Sequence, residues 1–496
     1  MIDDDELIRL ANSVLWPGFL GTTVPSWLAD ALGRDLAGVV YFAQNLGSDT
    51  AALSDEIHRI APHALIGIDE EGGSVTRLET ATGSTVPGAA QLGALDDVDA
   101  TRATGAEIAR RVAMIGADVV IAPVADVNTD PRNPVIGVRA FGDDTERVSR
   151  HVAAAVRGIQ EGGIAACAKH YPGHGDTHVD SHHDLPRLTL TQDAIEAVHL
   201  PPFQAAVDAG VRSIMTAHIC AEQWGALPAT LNPAVLGRLR ETGFDGVIIT
   251  DALDMAAIRE NHGVGGGAAL ALAAGADLLC VGNPTNPGDA MLADQDEHDY
   301  RAARDGIVAA LRSGELPRER VEEAARRVRM MADAVRARPA PAASTDYDGD
   351  TIADRALNVR CTLPVFDDVP TMVIDLRRPS SLAVDSAASH VALALAAGGE
   401  IVRLGAEDVA DDAIEETAAR AARSQTVVLV DRIDDGAPQR IVLDLIRLSA
   451  PGVVTVNVGL ATASRGDGPV IDARDAGLLA ARAARRALLA PNRKDA

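Results

Sequence analysis

Residues 169–186 read Lys169-His170-Tyr171-Pro172-Gly173-His174-Gly175-Asp176-Thr177-His178-Val179-Asp180-Ser181-His182-His183-Asp184-Leu185-Pro186, and they carry five of the chain's 13 histidines. Three aspartates accompany them, with one of only two lysines among 45 basic residues. A chain that otherwise relies on arginine thus keeps a compact, strongly hydrated ammonium at Lys169. Three readings of the stretch stand side by side. It can be a solvated polar loop. His174, Asp176, His178, Asp180 and His182 can be metal ligands in a metal-dependent hydrolase, although no HExxH spacing and no second ligand cluster accompany them. Asp180-Ser181-His182 can be a dyad: residues two apart in extended or turn backbone point the same way, so the Asp180 carboxylate holds one imidazole nitrogen and leaves the other for a substrate. An ionised partner favours imidazolium, which lets His182 donate a proton near neutral pH.

The elements that must position these groups follow from the apolar runs. Gly163 to Ala168 reads as a buried strand, and Pro172, Gly173 and Gly175 forbid a helix directly after it, so the cluster is expected on a loop at a strand's C-terminal end. Seven similar runs occur at Leu15 to Leu20, Gly38 to Phe42, Leu65 to Ile68, Asp118 to Pro123, Ser213 to Ala217, Gly246 to Thr250 and Ala276 to Val281. Alternating with helical stretches, they predict a (β/α)8 barrel whose active site gathers the loops at the C-terminal strand ends. A doubly wound open sheet shares that alternation; polar residues directly after nearly every strand favour the barrel. At one such end, Thr250-Asp251-Ala252-Leu253-Asp254-Met255, the acid after the strand could simply cap the next helix.

The string from Lys169 to Pro186 resembles the signature loop of family 3 glycoside hydrolases of the beta-N-acetylglucosaminidase branch, where KH-x-PGHGD precedes DSH and then LP. That resemblance implies that Asp180 and His182 form the general acid/base dyad, with Lys169 and His170 holding sugar hydroxyls. Thr250 to Met255 resembles the family's nucleophile motif, which makes Asp251 the nucleophile and Asp254 its local support. Asp69-Glu70-Glu71-Gly72-Gly73 resembles the family's acidic Gly-Gly strand end and implies Asp69 as a sugar ligand; Glu70 and Glu71 fit a helix N-terminus better. Pro123-Val124-Ala125-Asp126-Val127-Asn128 and Asn133 to Gly142 resemble PV-x-D-x-N and NP-x-IG-x-R-x-FG, implying Arg139 as a hydroxyl or acetamide ligand. Asp126 is as readily structural as functional, and His218, in Met215-Thr216-Ala217-His218, lines or plugs the pocket. One departure is Gln44-Asn45, where the family usually has Arg-Asn.

The implied activity is that of a retaining, exo-acting beta-N-acetylglucosaminidase that forms a covalent sugar ester on Asp251, needs no cofactor or metal, and releases terminal N-acetylglucosamine from small glycosides such as muropeptide fragments. A histidine acid leaves a neutral imidazole where a carboxylic acid would leave an anion, so an N-acetylglucosaminide phosphorylase using phosphate as acceptor is the alternative, as is a beta-glucosidase. Aromatic residues make up only 3% of the chain, too few for the stacking platforms of a polysaccharide cleft.

A net charge of −26 excludes nucleic acid and anionic membrane as partners of most of the surface. Cys167, Cys220, Cys280 and Cys361 are scattered without CxxC and read as reduced core residues. An acidic start and the lack of an 18-residue apolar run predict a cytoplasmic protein. Gly263 to Gly267 reads as a loop, without nucleotide-binding spacing. Residues 1–336 form the expected barrel and 337–346 a Pro/Ala linker. Residues 347–496 form a smaller α/β sandwich domain with strand-like runs at Thr371 to Leu376, Glu400 to Leu404, Thr426 to Val430 and Val453 to Val458; the oligomeric state is left open.

Overall fold

The eight predicted strands all form. They are β1 (Leu15–Pro17), β2 (Gly38–Tyr41), β3 (Leu65–Ile68), β4 (Val119–Val120), β5 (Ala165–Tyr171), β6 (Ser213–Thr216), β7 (Val247–Ile249) and β8 (Leu279–Gly282). The computed structural model describes residues 3–177, 185–337, 347–378, 388–405, 410–434, 436–460 and 468–490. Strands β2 to β7 pair in parallel in sequence order, and β1 pairs in parallel with β8. A parallel bridge from Ile249 to Leu278 carries the sheet from β7 to the start of β8. The result is the (β/α)8 barrel, with its strands buried on both faces and therefore written as continuous apolar runs.

Alternate residues along each strand fill the barrel axis. Val40, Leu65, Val119, Ala165, Cys167, Met215, Val247, Ile249 and Cys280 form one cluster with Trp16. The helix Arg318–Arg336 adds Val328, Met331 and Ala332 to the same cluster. Its arginines reach the N-terminal strand ends, where Arg336 donates to Ala64 O and Arg320 to Ala276 O and the buried Asp277. One end of the barrel is thus closed by packing and ion pairs, leaving the other for chemistry.

Gly263 to Gly267 departs from the expected loop. The helix Ala256–Ala274 runs through it with a kink at Gly263. A Cβ on Gly306, in the helix Gln295–Ser313, would lie 2.4 Å from Gly265 O, so these two helices meet at backbone distance and only glycine fits.

By compactness the chain divides into two units, one of 1–71, 101–136 and 143–345, the other of 72–100, 137–142 and 346–496. The second holds a six-stranded sheet of β9 (Asn358–Arg360), β10 (Met372–Asp375), β11 (Ile401–Arg403), β12 (Thr426–Val430), β13 (Val454–Asn457) and β14 (Val470–Asp472), in the order β9-β14-β13-β12-β10-β11. Only β9 runs antiparallel to its neighbour. Period-two alternation divides the sheet's side chains between two cores: Val373, Val427 and Val456 pack with Val391, Leu395 and Leu488, whereas Ile374, Val428 and Val430 pack with Ile414, Val442 and Ile446. This is the α/β sandwich read from the sequence, with β9 and β14 added.

Candidate active site

The first carboxylates leave β3 as Asp69-Glu70-Glu71. Lys169 meets two of them: its Nζ lies 2.8 Å from Asp69 Oδ1 and 2.7 Å from Glu71 Oε1. The lysine side chain is 3% exposed, Glu71 7% and Asp69 20%, so Asp69 is the partner that solvent, and hence a ligand, reaches. Glu71 is not a helix N-terminal acid: the chain turns at Gly72 to Val75, and the next helix begins at Ala89.

Lys169 and His170 sit on β5 itself, which runs to Tyr171 rather than ending at Ala168. The extension exists because Pro123 to Ala125, following β4, continue the pairing: Lys169 N donates to Pro123 O and Ala125 N to Lys169 O. The next residue of that segment, Asp126, is buried beneath the loop. Its Oδ2 lies 2.8 Å from His170 Nδ1, and its Oδ1 accepts the His174 amide at 2.7 Å. Burial pushes the Asp126 carboxyl up, but His170 and the bonds from His170 and His174 outweigh it and hold Asp126 below the ordinary carboxylate value. Asp126 is therefore an anchor for the loop. Asn133 adds a second tie, donating to His174 O while its own Oδ1 accepts the amides of Val135 and Ile136. Burial lowers His174 to about 4, more than the nearby Asp126 can offset, so the ring is neutral at neutral pH. Asp180 and His182 lie outside the described residues.

Asp251 leaves β7, half-buried, with its Oδ1 accepting the Ala252 amide at 2.8 Å. Asp254 accepts from Asn286 at 2.7 Å. The turn carrying Asp251 is sewn to β8 by Leu253 N to Cys280 O and Asp254 N to Val281 O. Behind it, His218 is fully buried and donates from Nε2 to Ala252 O at 2.8 Å.

Two buried thiols are held protonated by their surroundings. Cys167 is pushed up to about 12, mainly by burial; Lys169 opposes this, while Asp69 and Asp251 add to it. Cys280 is raised by burial and by Asp251, Asp254 and Asp69. Asp69, Lys169, His170 and Asp251 stand at the C-terminal ends of β3, β5 and β7 of one barrel. Arg139, on a 3₁₀ turn at Gly137–Arg139, is a buried member of the second unit. Cys167, Cys220 and Cys280 are buried as expected; Cys361 is exposed, because it sits past the edge strand β9 with a left-handed backbone. Among the described residues no group of three or more His, Cys, Asp or Glu is arranged to hold a metal.

A barrel with an acid at one strand end and a lysine held between carboxylates at others has the form of a (β/α)8 enzyme. Residues 25–331 match the glycosyl hydrolase family 3 N terminal domain, and the chain belongs to that family. It is 38% identical over 272 residues to a beta-hexosaminidase of Chromobacterium violaceum, covering 52% of this chain and 75% of that protein. Beta-hexosaminidase A of Pseudoalteromonas piscicida is 35% identical over 270 residues, 48% of this chain and 44% of that protein, so the match spans less than half of that relative. Among solved structures, a glycoside hydrolase family 3 beta-N-acetylglucosaminidase from Paenibacillus superposes with a TM-score of 0.83 at 28% identity, covering 99% of this chain and 97% of the other.

Proposed function

We infer that the chain is a retaining, exo-acting beta-N-acetylglucosaminidase, with small soluble muropeptide fragments as natural substrates in peptidoglycan recycling. The observation that carries this reading is that Asp69, Lys169 and Asp251 belong to the C-terminal ends of β3, β5 and β7 of one barrel, with Lys169 Nζ 2.8 Å from Asp69 Oδ1. A carboxylate that attacks an anomeric carbon must stand beside groups that hold the ring hydroxyls, and charged hydrogen bonds supply that hold. Asp251 attacks and forms a glycosyl ester; the His182 imidazolium, held by Asp180, protonates the leaving oxygen and then, as neutral imidazole, activates the acceptor. Lys169 and His170 grip hydroxyls with Asp69. Trp16 is buried inside the barrel and Trp27 stacks on Tyr300, which leaves both unsuited to a long polysaccharide platform.

The test is turnover of an aryl N-acetyl-beta-glucosaminide, with the product's anomeric form followed by NMR, with and without phosphate. Free sugar released first as the beta anomer, with Asp251→Ala inactive, supports the reading. Sugar 1-phosphate in place of free sugar makes the enzyme a phosphorylase, and preference for the plain glucoside overturns the N-acetyl assignment.

A further inference from the structure

We propose that His218 is a positioning residue for Asp251, a role that rests on reading Asp251 as the nucleophile. His218 follows β6, two strands' spacing from β8 across β7, and both of its ring nitrogens are engaged. Nε2 meets Ala252 O, a carbonyl and so an acceptor, at 2.8 Å, which fixes the proton on Nε2. Nδ1 lies 2.9 Å from Thr230 Oγ1, and Thr230 Oγ1 lies 2.8 Å from Thr216 Oγ1. Thr230 Oγ1 also lies 3.0 Å from Ala217 O, so its one proton serves Nδ1 or that carbonyl, and either way Thr216, Thr230 and Ala252 O hold the imidazole between them. All three side chains are fully buried, so no water competes for these partners.

Ala252 is the link to the reacting group, since its own amide donates to Asp251 Oδ1. The turn from Thr250 to Asp254 is held toward β8 by three amides, which donate to Leu278 O, Cys280 O and Val281 O. On its other side Ala252 O is held by His218, together with a longer bond from the Met255 amide at 3.2 Å. Removing the imidazole donor takes away the shorter of the two bonds to Ala252 O and lets the Ala252 amide, and with it the carboxylate, shift. Since a misplacement of about 1 Å can cost about a hundredfold in rate, the defect falls on chemistry and spares substrate binding.

Glutamine can place an amide N–H near the Nε2 position, whereas asparagine reaches only to the Nδ1 position. In the full chain, His218→Asn is expected to lower kcat roughly 10- to 100-fold with KM changed less than about threefold, and His218→Gln to recover most of the loss. The same order is expected in the rate at which a 5-fluoro N-acetylglucosaminyl fluoride labels Asp251, followed by peptide mass. A wild-type enzyme not labelled at Asp251 removes the underlying reading. Labelling of wild type and His218→Asn at equal rates overturns the positioning role. Should His218→Asn fail to fold, Thr230→Val, which removes the hydroxyl facing Nδ1, takes its place: slower labelling supports the role and an unchanged rate overturns it.

Discussion

Lys169 and Glu71 meet through Nζ and Oε1 at 2.7 Å, with both side chains more than nine-tenths buried. A buried ion pair of this kind is costly to break, about 3 to 5 kcal/mol, because the survivor keeps an uncompensated charge. Its value here is orientation: Glu71 holds the ammonium from the protein side, and the more exposed Asp69 shares it on the open side.

The two carboxylates should therefore respond differently to neutralisation. Glu71→Gln is expected to lower stability by about 3 kcal/mol, since the deep partner of Lys169 is lost. Asp69→Asn keeps Glu71 in place and is expected to raise KM by about ten- to a hundredfold, the worth of one charged hydrogen bond to substrate. Denaturant melts and Michaelis parameters on both variants check this; equal stability loss with equal KM would refute the division of labour.

Asp126 makes a pH-dependent prediction. Its folded value is held below 3.8 by His170 and His174 against the opposing effect of burial. A carboxyl with a lowered folded value stabilises the protein fully above 3.8 and loses that contribution as pH falls through the folded value. Asp126→Asn should flatten the acid limb of the stability curve and loosen the loop. Hydrogen exchange at the His170 and His174 amides, both bonded to Asp126, is expected to accelerate; unchanged protection would show that the loop is held elsewhere.

Asp475, in the second unit, has the opposite sign. Its Oδ1 accepts from Ser74 Oγ at 2.7 Å, and burial, outweighing that bond and those from backbone amides, pushes the carboxyl up to about 6. A raised carboxyl keeps its proton more tightly when folded, so its contribution is greatest below 3.8 and declines as pH rises to about 6. That displacement corresponds to at most roughly 3 kcal/mol. Asp475→Asn should remove this decline, seen in denaturation of the full chain at pH 4.5 and 7; a pH slope identical to wild type counts against it.

How much of this was legible in the sequence depended on distance along the chain. The eight barrel strands could be read because each is buried on both faces and written as an unbroken apolar run. Edge strand β9, Asn358–Arg360, carries no such run, and β14 is too short to stand out, so both escaped. Lys169 stood out by rarity, but its partner Glu71 lies 98 positions earlier among look-alike acids, and only folding pairs them. The bracing role of His218 was hidden for the same reason: its target is a backbone carbonyl, which has no sequence signature. Gly263 to Gly267 misled because glycine's poor helix propensity conceals its use where two helices touch.

The barrel interior supplies the last prediction. Trp16 crosses the axis toward β3, its Nε1 donating to Leu65 O at 2.8 Å, and its ring lies over Gly67. A Cβ at Gly67 would come 2.1 Å from Trp16 Cζ2, a contact that no rotation of a fully buried indole relieves. Gly67→Ala should thus cost about 1 to 3 kcal/mol through overpacking. Trp16→Phe alone is expected to destabilise as well, by leaving a cavity and an unmet Leu65 carbonyl. Combined, the smaller ring makes room for the methyl, so the double variant should be more stable than the sum of the two losses implies. Because β3 ends one residue before Asp69, any strand shift in Gly67→Ala should also raise KM, and the double variant should bring it back toward wild type. Strict additivity in both stability and KM would show that the indole and the strand are not in contact in solution.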